Sequence, residues 1–145
     1  MDAGLNITSI CIHRGEEPPV SGPDGICNIF FSGCNLHCIY CQNYDISRAG
    51  NGYRKNYPSL KSVLDQIENI LSAEIVAIGF VSPAHVVPQV KAIIRGLHSR
   101  GLKPITIYNT NSYEKSEVID SLDGLIDVWL PDYKYVTPET AMEFS

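Results

Sequence analysis

Glu74-Ile-Val-Ala-Ile-Gly-Phe-Val81 begins a strand–helix–strand pattern that continues through residues 86–97 to Pro104-Ile-Thr-Ile-Tyr108. The first segment is apolar almost throughout, which is typical of a strand covered by helices on both faces. In residues 86–97 the apolar side chains recur at the spacing of one helix face. A parallel pair of strands needs a long crossover, which is usually a helix, so the pattern favours parallel strands.

The alternation of strands and helices extends from this unit in both directions. The segments predicted outside it are a strand at 26–31, a helix at 60–71, a helix from about 113 to 122, a strand at 125–130 and a helix that begins at Thr137. Residues 26–145 therefore form about four βα units of an α/β domain with parallel strands. Residues 1–25 are predicted to be irregular, because this N-terminal segment is rich in Pro and Gly.

Length, composition and charge exclude several classes of protein. With 145 residues the chain has room for one domain. Hydrophobic residues make up 44% of it, and no apolar run approaches the ~18 residues of a membrane-spanning helix. Its formal charge is 11 − 16 = −5 without a cluster of Lys or Arg, so neither nucleic acid nor a membrane is predicted as a partner. The N-terminus lacks the features of a secretory signal, which predicts a cytoplasmic and therefore reducing location.

All five cysteines lie within the first 41 residues: Cys11, Cys27, Cys34, Cys38 and Cys41. Their odd number and the reducing compartment disfavour disulfides, so the close spacing points to metal or redox chemistry. Thiolates are the usual ligands of iron-sulfur clusters, and a four-iron cluster held by three of them keeps one iron free for another ligand. The alternative is a structural zinc site with Cys27 or His37 as the fourth ligand.

The spacing Cys34-xxx-Cys38-xx-Cys41, with Tyr40 before the last cysteine, resembles the signature of the radical S-adenosylmethionine superfamily. The resemblance extends from about residue 13 to the C-terminus. It implies that residues 26–145 are an incomplete core domain, the N-terminal part of a partial (β/α)6 TIM-like barrel whose cofactor lies across the carboxyl ends of the strands. Three longer runs are similar, more narrowly, to relatives of the pyruvate formate-lyase activating enzyme, namely residues 31–44, Tyr108-Asn-Thr-Asn-Ser-Tyr-Glu114 and Leu130-Pro-Asp-Tyr-Lys-Tyr135.

The resemblance assigns roles to individual residues, although it assigns no catalytic side chain. Cys34, Cys38 and Cys41 are expected to ligate three irons of a 4Fe-4S cluster, and the amino and carboxylate groups of S-adenosylmethionine to chelate the fourth. The other residues expected near this cofactor are Tyr40, beside the adenine, and Ser82, Asn109, Asn111, Asp132 and Lys134, at the strand ends.

Two of these positions depart from the pattern of the family. Where relatives often carry Gly-Gly-Glu-Pro, this chain has Gly79-Phe-Val-Ser-Pro83, which lacks the paired glycine and the acid. The contact with the amino group of S-adenosylmethionine is therefore expected from Ser82 or from backbone carbonyls. Asn109 stands where the activating enzymes often have Asp, which weakens a cation site shared with Asp132.

The function implied by the resemblance is that of an enzyme that cleaves S-adenosylmethionine reductively to a 5′-deoxyadenosyl radical, which then abstracts a hydrogen atom from a substrate. The implied partners are an electron donor of the flavodoxin or ferredoxin type and, for an activase-like protein, a glycyl radical enzyme. Two alternatives stay open, a non-catalytic remnant that still binds a cluster and a zinc-stabilised binding module. Because the pattern stops within a fourth helix, we also expect the sequence to be the N-terminal piece of a longer protein.

Overall fold

Residues 4–15, 18–48 and 57–145 are described by the structure, which is a computed structural model. These parts of the chain contain strands that alternate with helices, and each of the parallel strands is followed by a helix, as predicted. In chain order the elements are β1 (Ile7–His13), α1 (Pro18–Ser21), β2 (Ile26–Phe31), α2 (Tyr44–Ser47), α3 (Leu60–Leu71), β3 (Ala77–Val81), α4 (Val87–Ser99), β4 (Ile105–Thr110), α5 (Ser116–Asp120), β5 (Val128–Pro131) and α6 (Pro138–Phe144).

The five strands form one sheet in the order β1-β2-β3-β4-β5. Strands β2 to β5 pair in parallel, as predicted, whereas β1 pairs with β2 in the antiparallel direction. In the part of the chain that the structure describes, β1 and β5 lie at the two ends of this row and do not pair with each other. The protein is therefore a mixed α/β structure with a mostly parallel sheet, and a (β/α)6 barrel stays a prediction.

Strand β1 corrects the prediction that residues 1–25 are irregular. Ile7–His13 pairs with β2, with Ile10 opposite Ile29. Its sequence is rich in β-branched residues, which favour strands, whereas nearly all the Pro and Gly of the N-terminal segment lie after it. Ile7 and Ile10 are buried in the same core as β2, so this strand belongs to the sheet and not to an irregular extension.

A row of large side chains crosses the sheet on the face that the helices cover. Ile10, Ile29, Phe80, Tyr108 and Trp129 pair one after another in the registers of the five strands. Phe80 and Tyr108 are fully buried, and the ring centroids of Tyr108 and Trp129 lie 5.0 Å apart. Because apolar area removed from water is the main source of stability, this row and the helices on it form the principal core.

Helices α3 and α4 pack on this row, and both begin near the predicted positions. The Ser59 side chain accepts a hydrogen bond from Ser62 N at 3.2 Å, which caps α3, and Pro88 lies in the first turn of α4, where its missing N–H is tolerated. No helix in the described ranges combines the length and the apolar character that crossing a bilayer requires. The buried residues of the two helices are Val63, Leu64 and Ile67 in α3 and Val87, Val90, Ile93, Ile94 and Leu97 in α4.

Three elements are shorter than predicted. Strand β5 covers Val128–Pro131 and not 125–130. The other two are β3 and α5, and the chain turns before each of them. β3 begins at Ala77 and not at residue 74, since Glu74 adopts a left-handed conformation with a φ of 66°. Helix α5 covers Ser116–Asp120 and not about 113–122, since the chain turns at Ser112, which has a φ of 60°. The second turn is part of the candidate site.

Candidate metal centre

The predicted site residues follow the carboxyl ends of the parallel strands, which lie at one edge of the sheet. Ser82 N donates a hydrogen bond to Asn109 O at 2.9 Å, which joins the end of β3 to β4. Asp132 N donates to Thr110 O at 2.8 Å, which joins the end of β4 to β5. Ser82, Asn109 and Asp132 are thus brought to the same edge, where open α/β sheets bind their ligands.

Residues 33–43, here called the cysteine loop, connect β2 to α2 at this edge. Gly33 has a φ of 84°, a conformation that favours glycine, and its N–H donates to Ile46 O at 2.8 Å. Cys41 N donates to Cys38 O at 3.1 Å, the hydrogen bond of a β-turn whose first and last Cα atoms lie within about 7 Å. These bonds make the loop compact, because Cys38 and Cys41 share one turn and Cys34 follows the residue that anchors the loop to α2.

Cys34 has two N–H donors directed at its sulfur. Leu36 N donates to Cys34 Sγ at 3.4 Å, and Asn111 Nδ2 donates to it at 3.6 Å. Hydrogen bonds to the sulfur ligands help to set the reduction potential of an iron-sulfur cluster. The surroundings of Cys34 therefore fit a metal-bound thiolate.

Cys38 and Cys41 have hydroxyl neighbours. Cys41 Sγ lies 3.3 Å from Ser47 Oγ. Cys38 is buried and contacts Tyr135, whose ring packs edge-on against Tyr40 with 6.3 Å between the centroids. Burial raises the pKa of Tyr135, and the contacts with Cys38 and Tyr40 raise it further, so this phenol keeps its proton at neutral pH and donates it to Phe144 O at 2.9 Å. All three thiols of the loop therefore have polar groups within reach.

A single zinc ion and a 4Fe-4S cluster place different demands on the thiols of the cysteine loop. Among the residues that the structure describes, no three His, Cys, Asp or Glu side chains are placed to hold one metal ion. Zinc needs its sulfur ligands about 2.3 Å from a common centre, whereas the thiolates of a 4Fe-4S cluster each bind a different iron and are therefore spaced more widely. A zinc ion and a 4Fe-4S cluster therefore require different spacings of the same three thiols.

The two residues considered as a fourth zinc ligand, Cys27 and His37, lie in different surroundings. Cys27 is fully buried in the main core, and burial, with a smaller effect of Cys11, raises its pKa to about 12. A thiol with that pKa stays protonated at neutral pH, which makes it a poor metal ligand. His37 is exposed on the surface of the cysteine loop. Cys27 therefore packs as a small hydrophobic side chain.

Asn111 connects the end of β4 to the cysteine loop. It is buried, and besides its bond to Cys34 its Nδ2 donates to Asn35 Oδ1 at 2.6 Å. Asn35 Nδ2 donates in turn to Tyr113 O at 2.8 Å, and Tyr113 N donates to Asn111 Oδ1 at 3.1 Å. The resemblance places Asn111 near S-adenosylmethionine, whereas the structure places it against the loop, so its contact with that cofactor stays a prediction.

Glu114 holds the segment that carries Asn111. Tyr108 OH donates to Glu114 Oε1 at 2.9 Å, and Thr110 Oγ1 donates to Glu114 Oε2. Burial raises the pKa of Tyr108, and Glu114 raises it further, so the phenol stays a donor to the carboxylate. Sequence reasoning assigned no role to Glu114. The signal that could have indicated this role is the run of residues 108–114 that resembles the activating enzymes, because it contains Glu114 and both of its hydrogen-bond partners.

A cavity of about 600 Å³ lies beside the cysteine loop, between it and the segments that follow β4 and β5. Of the residues predicted to contact the cofactor, Asn111 and Lys134 line it, and Lys134 Nζ donates to the Asp132 carboxylate. Three tyrosines and Met142 contribute to the rest of its wall. The predicted residues that lie outside its described lining are Tyr40, Ser82, Asn109 and Asp132.

His85 joins the segment after β3 to the start of the cysteine loop. Its Nε2 donates to Ser32 O at 2.9 Å, and burial lowers its pKa below the usual 6.5. The unfolded chain therefore binds this proton more readily than the folded chain does. It follows that the stabilisation due to neutral His85 is present above about pH 6.5 and is lost as the pH falls through the lower, folded-state pKa.

We expect His85→Gln to weaken the pH dependence of stability, because glutamine cannot take up the proton. Urea unfolding of both proteins at about pH 7 and about pH 5 measures this effect. The wild-type chain is expected to lose more stability on acidification than the variant does. Equal losses in the two proteins would show that the imidazole is not a source of the pH dependence.

Comparison with known proteins agrees with this site. Residues 20–143, which include the cysteine loop and all four parallel strands, match the family model described as "4Fe-4S single cluster domain". The chain is also 29% identical over 147 residues to the "Uncharacterized protein MJ0674" of Methanocaldococcus jannaschii. That alignment covers 92% of this chain and 39% of the relative, so the chain spans about two fifths of the length of the curated relative that it matches. The chain therefore belongs to the 4Fe-4S single cluster domain family.

Proposed function

We propose that this chain is the cluster-binding part of a radical S-adenosylmethionine enzyme. The observation that carries the proposal is the position of the cysteine loop, whose three thiols follow a strand at the carboxyl edge of a parallel sheet. That edge is where enzymes built from βα units bind their cofactors. The match to a 4Fe-4S family that is associated with radical S-adenosylmethionine proteins supports the same function.

In this proposal Cys34, Cys38 and Cys41 hold three irons of one 4Fe-4S cluster. When bound, the reduced cluster supplies the electron that splits the sulfonium of S-adenosylmethionine into methionine and a 5′-deoxyadenosyl radical. The N–H groups of Leu36 and Asn111 orient the Cys34 thiolate. Lys134, oriented by Asp132, supplies a cation for a carboxylate group in the cavity.

We also propose an electron donor of the flavodoxin or ferredoxin type. Such a donor has to approach the cluster closely, and the cysteine loop and α2 carry large exposed side chains. Ile39, Tyr40 and Tyr44 are 65%, 53% and 59% exposed, and grouped side chains of this kind are typical of protein contact sites. The second proposed partner, a glycyl radical enzyme whose glycine is the substrate, rests on the resemblance to the activating enzymes alone.

The proposal is tested by preparing the chain without oxygen, reconstituting it with iron and sulfide, and adding a reductant and S-adenosylmethionine. We expect about four irons and four sulfides per chain, and release of 5′-deoxyadenosine that requires both the reductant and the cluster. A cluster without any nucleoside product would favour the non-catalytic alternative. Bound zinc without labile sulfide would favour the zinc-stabilised module and would contradict the cluster.

A further inference from the structure

We propose that Asn111 is a positioning residue that raises the reduction potential of the cluster through its hydrogen bond to Cys34. This inference rests on the proposed function, because it needs a cluster held by the cysteine loop. It gives Asn111 a different role from the cofactor contact expected from its place in the sequence. The potential matters because it decides how readily a donor can reduce the cluster.

The side-chain amide of Asn111 lines the cavity, but it is also directed at the sulfur of Cys34. Asn111 Nδ2 lies 3.6 Å from Cys34 Sγ and 2.6 Å from Asn35 Oδ1, so its two N–H groups serve the ligand and its neighbour in the loop. Asn111 Oδ1 accepts from Tyr113 N at 3.1 Å, which fixes the orientation of the side chain.

Burial and the surrounding network strengthen this bond. Asn111 is 4% exposed, so little water competes for its N–H groups, and electrostatic interactions are stronger in such surroundings than in water. Glu114 accepts from Tyr108 and Thr110 and so fixes the turn from which Asn111 projects. Because the donor is held in place before a cluster binds, no ordering of this side chain is needed when it does.

The sign of the effect follows from the charges. Reduction adds an electron to the cluster and makes its sulfur ligands more negative. A hydrogen bond to a sulfur is stronger when the sulfur is more negative, so the N–H of Asn111 stabilises the reduced state more than the oxidised one. Removing the donor should therefore lower the potential.

The decisive variant is Asn111→Leu, which is similar in shape and has no N–H group. In the reconstituted chain without S-adenosylmethionine, we expect the ratio of reduced to oxidised cluster at a fixed solution potential to fall by up to tenfold. For a one-electron couple this corresponds to a midpoint shift of up to about 59 mV to more negative values. The midpoint is measured by a redox titration that is followed by electron paramagnetic resonance.

The matched control is Asn43→Leu, the same substitution at an exposed asparagine at the end of the cysteine loop. Asn43 is exposed and makes no side-chain hydrogen bond as the N-cap of α2, so its replacement should leave the midpoint unchanged. If Asn111→Leu fails to fold, Asn111→Asp is used to test the inference. This variant keeps an acceptor for Tyr113 N and replaces the donor by a negative charge. That variant should lower the midpoint further than the loss of a neutral donor does.

An unchanged midpoint in the folded Asn111 variant would overturn the inference. If the same variant bound S-adenosylmethionine more weakly, Asn111 would be a cofactor contact as its sequence position suggests. Failure of the wild-type chain to assemble any cluster is a separate result, because it contradicts the proposed function before Asn111 is changed. The two failures are therefore distinguishable.

Discussion

Replacing Cys38 by alanine is expected to abolish cluster binding by the reconstituted chain. Cys38 is the middle ligand of the proposed three, it is buried, and it begins the turn that contains Cys41. Loss of even an outer-shell partner costs about 10–100-fold in metal affinity, so loss of one of three ligands should cost at least as much. Bound iron and labile sulfide after desalting, together with the visible absorption of the cluster, measure the effect.

The control for this experiment is Cys11→Ala. Cys11 is a half-buried cysteine on β1, outside the cysteine loop. Its replacement should therefore leave the iron and sulfide content unchanged. Circular dichroism of both apo variants shows whether the fold survives without the thiol. A well-folded Cys38→Ala chain that still assembles a full cluster would remove Cys38 from the ligand set.

The largest effect on stability is expected from Phe80→Ala. Phe80 is fully buried at the centre of the row that crosses the sheet, between Ile29 on β2 and Tyr108 on β4. Removing a phenyl ring from a packed core costs its transfer free energy and leaves a cavity that neighbours on a sheet cannot easily fill. The expected loss in the free energy of unfolding is about 3–5 kcal/mol, measured by urea unfolding of the apo chain.

Val76→Ala is the matched control for Phe80. Val76 precedes β3 and is 66% exposed, so its truncation should change the free energy of unfolding by no more than about 0.5 kcal/mol. Similar losses for the two variants would mean that the row through Phe80 is not the main core of the sheet.

The elements that were predicted well have local signals. Residues 60–71 form α3 as predicted, because the apolar spacing and the cap at Ser59 lie within the segment itself. Strand β2 likewise has the bounds expected of a buried strand ended by Ser32 and Gly33. Strand β1 was missed because its β-branched residues stand beside a stretch of Pro and Gly, and what makes it a strand is its pairing with β2.

In the candidate site, too, the features with local signals were predicted and those that depend on distant contacts were not. The cysteine spacing lies within eight residues, so the sequence alone indicates a cluster loop, and membership of the 4Fe-4S family agrees with it. The bond between Asn111 and Cys34 joins residues 77 positions apart, and no local pattern connects them. Tyr135 and Glu114 were not assigned roles for the same reason, since a role as a partner of another side chain depends on where the chain brings the two together.

The sequence by itself indicated a cluster loop and the alternation of strands and helices from residue 26 onward, because thiol spacing and apolar periodicity are properties of neighbouring residues. Only the tertiary structure decided which side chains surround the thiols, which cysteine is buried away from them and where the cavity lies. The physical reason is that hydrogen bonds and burial depend on distances between segments. Those distances are set when the parallel strands align their carboxyl ends at one edge of the sheet.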